Sequence, residues 1–160
     1  MTTCSCPSLA AAKSLAPELA STVVSFRYAA IPDGEHPRPY VQLDLRGPNG
    51  QPLRVAGLID TGADYSTLPL AVARQLGVSL YDLDTIDADE VSGSVELGVA
   101  QGAVLATLAG NSFELEPRYV MVEGSDVGPS NLSWGRRDFL RSWDLSLSER
   151  DKVFTLARRF

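Results

Sequence analysis

Apolar and polar residues alternate along much of the chain, which is the pattern of strands buried on one face. The clearest run is 40–46, where every second residue is Val or Leu. The turn sequence Gly47-Pro48-Asn49-Gly50 follows, and a second apolar run covers residues 53–59. This order predicts a β-hairpin whose second arm ends at Asp60.

Other short apolar runs bounded by turn residues predict further strands. They cover residues 23–28, 103–109, 113–115, 119–122, 145–147 and 153–156. A short helix is expected at 70–76, because Pro69 suits a first helical turn and Gly77 suits a helix end. A second short helix is expected within 137–143. The acidic residues 82–90 are expected to form an exposed connection.

Many short strands with only two short helices predict an all-β barrel or sandwich. The 160 residues suit one domain, which we place at residues 22–160. Residues 1–21 are rich in small side chains and lack a clear period, so we expect a flexible tail. A removable pro-segment is an alternative interpretation of that tail.

Charge and hydropathy exclude several classes of function. The formal net charge of −6 opposes a nucleic-acid partner, because phosphates attract basic surfaces. No apolar run approaches the roughly 20 residues of a membrane-spanning helix. The N-terminal residues lack the basic start of a secretory signal, so a cytoplasmic protein is expected.

Cysteine and histidine are too scarce for several kinds of chemistry. Cys4 and Cys6 are the only cysteines, and two ligands cannot complete a tetrahedral zinc site. His36 is the only histidine and lies among prolines, which argues against a Ser-His-Asp or Cys-His mechanism. We therefore predict neither a metal nor a cofactor.

The segment with the clearest chemical meaning is Asp60-Thr61-Gly62, at the end of the predicted hairpin. An apolar strand that ends in an acid can present a carboxylate to a cleft. A glycine directly afterwards permits unusual dihedral angles and close approach of another backbone. Alone, such a short string more often marks an ordinary turn than a catalytic site.

Two segments together resemble the signatures of retropepsin-like aspartic peptidases. Residues 58–63, Leu-Ile-Asp-Thr-Gly-Ala, resemble the active-site loop of that family. About seventy residues later, 132–140 resemble its second signature, in which apolar residues precede Gly-Arg and a short helix. The likeness extends from about residue 41 to residue 156.

The resemblance implies an all-β, retropepsin-like closed barrel with one lobe per chain. Asp-Thr-Gly occurs once, so the second catalytic acid would come from a second copy in a twofold homodimer. Two such carboxylates share one proton. Together they would activate a water that attacks a peptide bond, with Asp60 of each copy as the catalytic acid and a peptide or protein as substrate.

Supporting roles also follow from the resemblance. Thr61, Gly62 and Ala63 would shape the active loop, while Asp64 would pair with Arg136 after Gly135. A flap would lie within residues 89–104. Its flexible residues would be Ser92, Gly93, Ser94 and Gly98. Terminal strands interleave between subunits in the family, so 153–156 would join the dimer interface.

Two alternative functions stay open at this point. The chain could be a retropepsin-fold module that is catalytically inactive and serves dimerisation or peptide binding, since the flap region lacks a Gly-Gly-x-Gly-Gly-like tip. It could also be a phosphoryl-transfer enzyme with an aspartate nucleophile. Such enzymes use Mg²⁺ and a parallel α/β sheet, which the β-rich pattern opposes.

Overall fold

A computed structural model describes residues 22–30, 36–86, 95–121 and 132–159. Twelve strands and two short helices occur in these ranges. The strands are β1 (Val23–Arg27), β2 (Tyr40–Arg46), β3 (Pro52–Ile59), β4 (Thr67–Pro69), β5 (Ser79–Ile86), β6 (Val95–Gln101), β7 (Val104–Leu108), β8 (Asn111–Leu115), β9 (Tyr119–Met121), β10 (Ser133–Trp134), β11 (Trp143–Ser148) and β12 (Val153–Arg158). The helices are α1 (Leu70–Leu76) and α2 (Phe139–Ser142).

Nine strands form one curled sheet in the order β5-β6-β9-β4-β10-β3-β2-β7-β8. Strand β3 lies inside this sheet, antiparallel to β2 and parallel to the two-residue β10. The predicted all-β architecture is confirmed, although the sheet forms a half-barrel. In the described ranges β5 and β8 remain as two unpaired edges, so the closure that we expected is not present there.

A second sheet has only three strands, in the order β1-β12-β11. Strand β12 lies in the middle and pairs antiparallel with both neighbours. Its backbone groups are therefore used within its own chain. The contribution of residues 153–156 to a dimer interface, which the resemblance implies, stays a prediction.

Large aromatic side chains join the two sheets. Trp134, Trp143, Phe139 and Phe154 are almost completely buried, and the ring centroid of Phe113 lies 5.9 Å from that of Phe139 and 6.0 Å from that of Trp143. Truncating a buried Phe or Trp to Ala typically costs about 3–5 kcal/mol. This cluster therefore holds α2 and β11 firmly against the half-barrel.

Most predicted elements agree with the structure. Strand β2 has the predicted bounds, and β2 and β3 form the predicted hairpin through residues 47–50. Helix α1 also has the predicted bounds, with Pro69 as its N-cap and Gly77 in the left-handed conformation at its end. Helix α2 is shorter than predicted, because Trp143 already adopts extended geometry and begins β11.

The expected exposed connection at residues 82–90 is wrong for 82–86, which belong to β5. Strand β5 pairs antiparallel with β6, with a register shift between Leu80 and Leu83. Acidic residues disfavour strands only weakly, and an edge strand tolerates them because one face and one edge reach solvent. Pairing with β6 therefore overrides the local composition.

Candidate active site

Asp60 directly follows β3, and main-chain hydrogen bonds on both sides fix its position. The Leu58 amide donates to the Leu132 carbonyl at 2.9 Å, and the Asp60 amide donates to the Trp134 carbonyl at 3.0 Å. On the other side, the Ile59 amide donates to the Pro39 carbonyl at 3.0 Å. Backbone hydrogen bonds inside the sheet thus hold Asp60 in place, although its own carboxylate is only partly buried.

The chain after Asp60 turns back around the carboxylate. The Asp60 Oδ1 atom accepts hydrogen bonds from the amides of Gly62 at 2.8 Å and Ala63 at 3.2 Å. Any Cβ at position 62 would come within 3.2 Å of that oxygen. Glycine leaves this approach open, and the two amides orient the carboxyl group in one direction.

Asp64 connects this active loop to the segment before α2. Its Oδ1 atom accepts a hydrogen bond from Arg136 Nη2 at 2.5 Å, and Arg137 Nε lies 3.7 Å from its Oδ2 atom. Backbone bonds reinforce the connection, since the Arg136 amide donates to the Ala63 carbonyl at 3.0 Å. The side chains are half exposed, so the ion pair alone contributes only about 0–1 kcal/mol.

Gly135 is required for the close approach of these two segments. A Cβ on Gly135 would lie 2.3 Å from the carbonyl carbon of Tyr65 and 2.7 Å from the amide nitrogen of Ser66. Both atoms belong to the backbone and cannot move aside as a flexible side chain would. The predicted support residues 61–64, 135 and 136 therefore lie in two segments that are in direct contact.

A buried pair that sequence reasoning missed lies beneath this contact. Ser66 is 0% exposed and Asp138 is 4% exposed. The Ser66 hydroxyl donates to Asp138 Oδ1 at 2.9 Å and accepts from the Gly135 amide at 3.0 Å. The amides of Ser66 and Phe139 also donate to the same carboxylate, at 3.2 Å and 2.7 Å. The available signal was Asp138 itself, an N-cap residue type just before a predicted helix.

Burial raises the pKa of the Asp138 carboxyl above its usual value of 3.8, and the hydrogen bonds from Phe139 and Ser66 oppose this rise. Because the folded-state pKa lies above the unfolded one, the folded protein binds the proton more tightly between the two values. The free energy of unfolding contributed by this group is therefore highest below pH 3.8 and falls as the pH rises through the folded-state pKa.

We expect this slope to appear as a difference between wild type and Asp138→Asn. Asparagine does not titrate, so the stability of wild type relative to the variant should decrease as the pH rises from below 4 to neutral. Urea unfolding of both proteins across that range measures it. A difference that is constant, or that grows with pH, would contradict the assignment.

Tyr65 in the same loop borders a cleft of about 360 Å³ that also contains Gln101, Glu116 and Arg118. The guanidinium carbons of Arg118 and Arg137 lie 5.1 Å and 5.5 Å from the centre of the Tyr65 ring. Both arginines also donate to its hydroxyl, which lowers the pKa of Tyr65, with Arg137 as the larger cause. The arrangement makes a polar wall next to the active loop.

The predicted flap residues are only partly within the described ranges. Gly98 lies inside β6 and pairs with Leu83 of β5 and Val120 of β9, so it is held on both sides and does not lie at a flexible tip. Ser92, Gly93 and Ser94 lie outside the described residues. Of the antiparallel pair formed by β5 and β6, only β6 lies within residues 89–104, where a flap was expected.

The described ranges contain neither a cluster of metal-binding side chains nor a membrane-spanning helix. No group of three or more His, Cys, Asp or Glu side chains there is arranged to hold a metal ion. No helix in the same ranges is both long and apolar enough to span a membrane.

The fold is that of the retropepsin-like aspartic proteases. A retropepsin-like aspartic protease from Rickettsia conorii superposes with a TM-score of 0.53 and 16% identity, over 86% of this chain and 93% of that one. At that identity the match establishes the fold alone. The EIAV protease in complex with the inhibitor HBY-793 matches at 27% identity over 67% of this chain and 88% of that chain, but its TM-score of 0.42 supports no conclusion. No protein-family model and no curated protein matches the sequence.

Proposed function

We propose that the protein is an aspartic endopeptidase that is active as a homodimer, with one Asp60 from each copy. The observation that carries the proposal is the Asp60 loop. A partly buried carboxylate at the end of an interior strand accepts bonds from the Gly62 and Ala63 amides, within a retropepsin-like fold. The all-β sheet gives no support to the phosphoryl-transfer alternative, which requires a parallel α/β sheet.

The proposed mechanism follows from the electrostatics of two facing acids. Two carboxylates about 3 Å apart cannot both ionise easily and therefore share one proton. The ionised carboxylate takes a proton from a water held between them, and this water attacks the peptide carbonyl carbon. The protonated carboxyl polarises the carbonyl oxygen and the leaving nitrogen is then protonated, so the C–N bond breaks without a covalent intermediate.

The neighbouring residues would support this chemistry by positioning. Asp64 and Arg136 would keep the active loop against the segment before α2, and Gly135 would permit their close packing. Thr61 is exposed beside Asp60, where it can reach the Thr61 of a second copy across a twofold axis. Gly62 leaves space for a substrate backbone.

The dimer requirement is tested by the dependence of activity on protein concentration. Because a single copy supplies one acid, we expect specific activity towards an unfolded protein substrate to fall upon dilution through the dimer dissociation constant. Sedimentation at the same concentrations should show monomer replacing dimer in parallel. A monomer that retains full specific activity would contradict the proposal.

The substrate class and the cellular location rest on different observations. A peptide or protein substrate is part of this proposal and is supported by the retropepsin-like fold. The cytoplasmic location and the lack of a nucleic-acid partner stay predictions from composition and charge.

A further inference from the structure

A second cleft, of about 510 Å³, lies between the active loop, α2 and the end of β12. Tyr65 and Glu116 border both this cleft and the one described above. Four arginines line the second cleft, which we call the arginine cleft: Arg136, Arg137, Arg141 and Arg159. Because the whole chain has a formal net charge of −6, this concentration of positive charge marks a place where an anion could be attracted.

Two of these arginines are already paired with acids of the chain. Arg136 lies 2.5 Å from Asp64, and Arg159 lies 2.6 Å from Asp144. The side chains of both pairs are about half exposed, so water screens the attraction between them. A carboxylate from a ligand can therefore replace either acid at little cost.

The remaining positive charges are less completely used. Arg137 donates to the Tyr65 hydroxyl at 3.3 Å and lies 3.7 Å from Asp64. Arg118 flanks the same ring from the adjoining cleft, with its guanidinium carbon 5.1 Å from the ring centre. The guanidinium group of Arg141 has no ion pair or side-chain hydrogen bond within the described part of the chain. These groups retain donors for a ligand.

The spread of the charges indicates the shape of the anion. The arginines are distributed over two adjoining clefts, whereas a compact phosphate requires several donors around one point. Carboxylates that are spaced along an extended polypeptide match a distributed set better. The planar guanidinium group also suits a carboxylate, because it can donate two parallel hydrogen bonds to its two oxygens.

The wall of the arginine cleft is bonded directly to the active loop. The Arg136 amide donates to the Ala63 carbonyl at 3.0 Å, and the Arg137 amide donates to the Asp64 carbonyl at 2.7 Å. An extended chain advances by about 3.3 Å per residue. A polypeptide held at Asp60 therefore needs only a few further residues to reach Tyr65 and the arginines beyond it.

We propose that the arginine cleft, together with Arg118, binds an acidic segment of the polypeptide substrate, a role that rests on the proposed peptidase function. The enzyme then prefers proteins that carry Asp or Glu residues near the cleaved bond. Glu116 is the acid among the lining residues, and it opposes such a segment. The affinity of the site is therefore set by the difference between these charges.

Binding of a fluorescent hexaglutamate peptide tests the site without requiring catalysis. Fluorescence anisotropy should show that hexaglutamate binds, that hexaglutamine does not, and that affinity falls as ionic strength rises. Arg141→Gln should weaken binding by about threefold to fivefold, whereas Glu116→Gln should strengthen it by a similar factor. Opposite signs at two positions of one cleft cannot arise from a general loss of structure.

Arg74→Gln is the matched control, because it removes the same charge from an exposed position on α1 that borders neither cleft. It should leave the affinity unchanged. No binding of hexaglutamate, or equal weakening by Arg74→Gln and Arg141→Gln, would overturn the proposal. Inorganic phosphate at matched ionic strength provides a further comparison. Binding of phosphate in preference to hexaglutamate would show a compact anion site instead.

Cleavage then separates this inference from the proposed function. Two synthetic peptides share one cleaved bond and differ only in flanking Glu or Gln residues. Wild type should have the lower KM for the Glu peptide, and Arg141→Gln should raise that KM alone while kcat stays the same. Equal KM values for the two peptides would remove the acidic preference and leave the peptidase. A chain that binds hexaglutamate as expected but cleaves neither peptide would remove the peptidase function and leave the anion site.

Discussion

Asp60→Asn is expected to reduce the rate of peptide cleavage by at least about a thousandfold, within the range of general acid–base contributions. Asparagine can neither take the proton of the attacking water nor supply one to the leaving nitrogen. One substitution also removes both acids of a homodimer. The measurement is cleavage of a denatured protein mixture at acidic and neutral pH, with the same total concentration of each protein.

Asp44→Asn is the matched control, because it makes the same chemical change on the outward face of β2. Asp44 is exposed and pairs with Arg54, so its replacement should leave the cleavage rate unchanged. If Asp60→Asn cleaves as fast as wild type, the inactive binding module becomes the better interpretation of the fold.

Mixing the two proteins tests whether the acids act as a pair. After subunit exchange with an equal amount of Asp60→Asn, wild-type chains should lose about half of their activity, because half of them enter heterodimers with a single acid. Activity that is unchanged after exchange would mean that one carboxylate is sufficient, and the paired mechanism would be wrong.

Asp138→Ala is expected to lower the free energy of unfolding by about 3–5 kcal/mol at neutral pH. The change leaves the Ser66 hydroxyl and the amides of Ser66 and Phe139 without the carboxylate that they bond. Relief from burying an acid offsets only part of this loss. Urea unfolding monitored by tryptophan fluorescence measures the effect, since Trp134 and Trp143 are buried nearby.

The same variant should also lose activity at temperatures where it remains folded. Ser66 and Gly135 lie in the two segments that position the Asp60 loop. Asp138 accepts a hydrogen bond from the Ser66 hydroxyl, which itself accepts one from the Gly135 amide, so this network links the two segments. Asp44→Ala is the control for stability, because its exposed ion pair should contribute no more than about 1 kcal/mol. Similar losses in both variants would show that the buried network has no special role.

Local patterns in the sequence were sufficient for several elements. Alternation predicted β2, and the proline and glycine at the ends of α1 predicted its bounds. These features depend on neighbours within a few residues, so a linear pattern contains the necessary information. The acid at the end of β3 could be found in the same way, because the hairpin and the Asp-Thr-Gly string are contiguous.

Other features depend on residues that are distant in the chain. Ser66 and Asp138 are 72 positions apart, and only packing of the active loop against the segment before α2 makes them partners. Strand β5 forms despite its acidic composition, because β6 provides a strand with which it can pair. The central position of β12 likewise follows from pairing with both β1 and β11, which no local pattern encodes. Long-range backbone pairing and burial, rather than residue preference, therefore decided which strands lie at the sheet edges within the described residues.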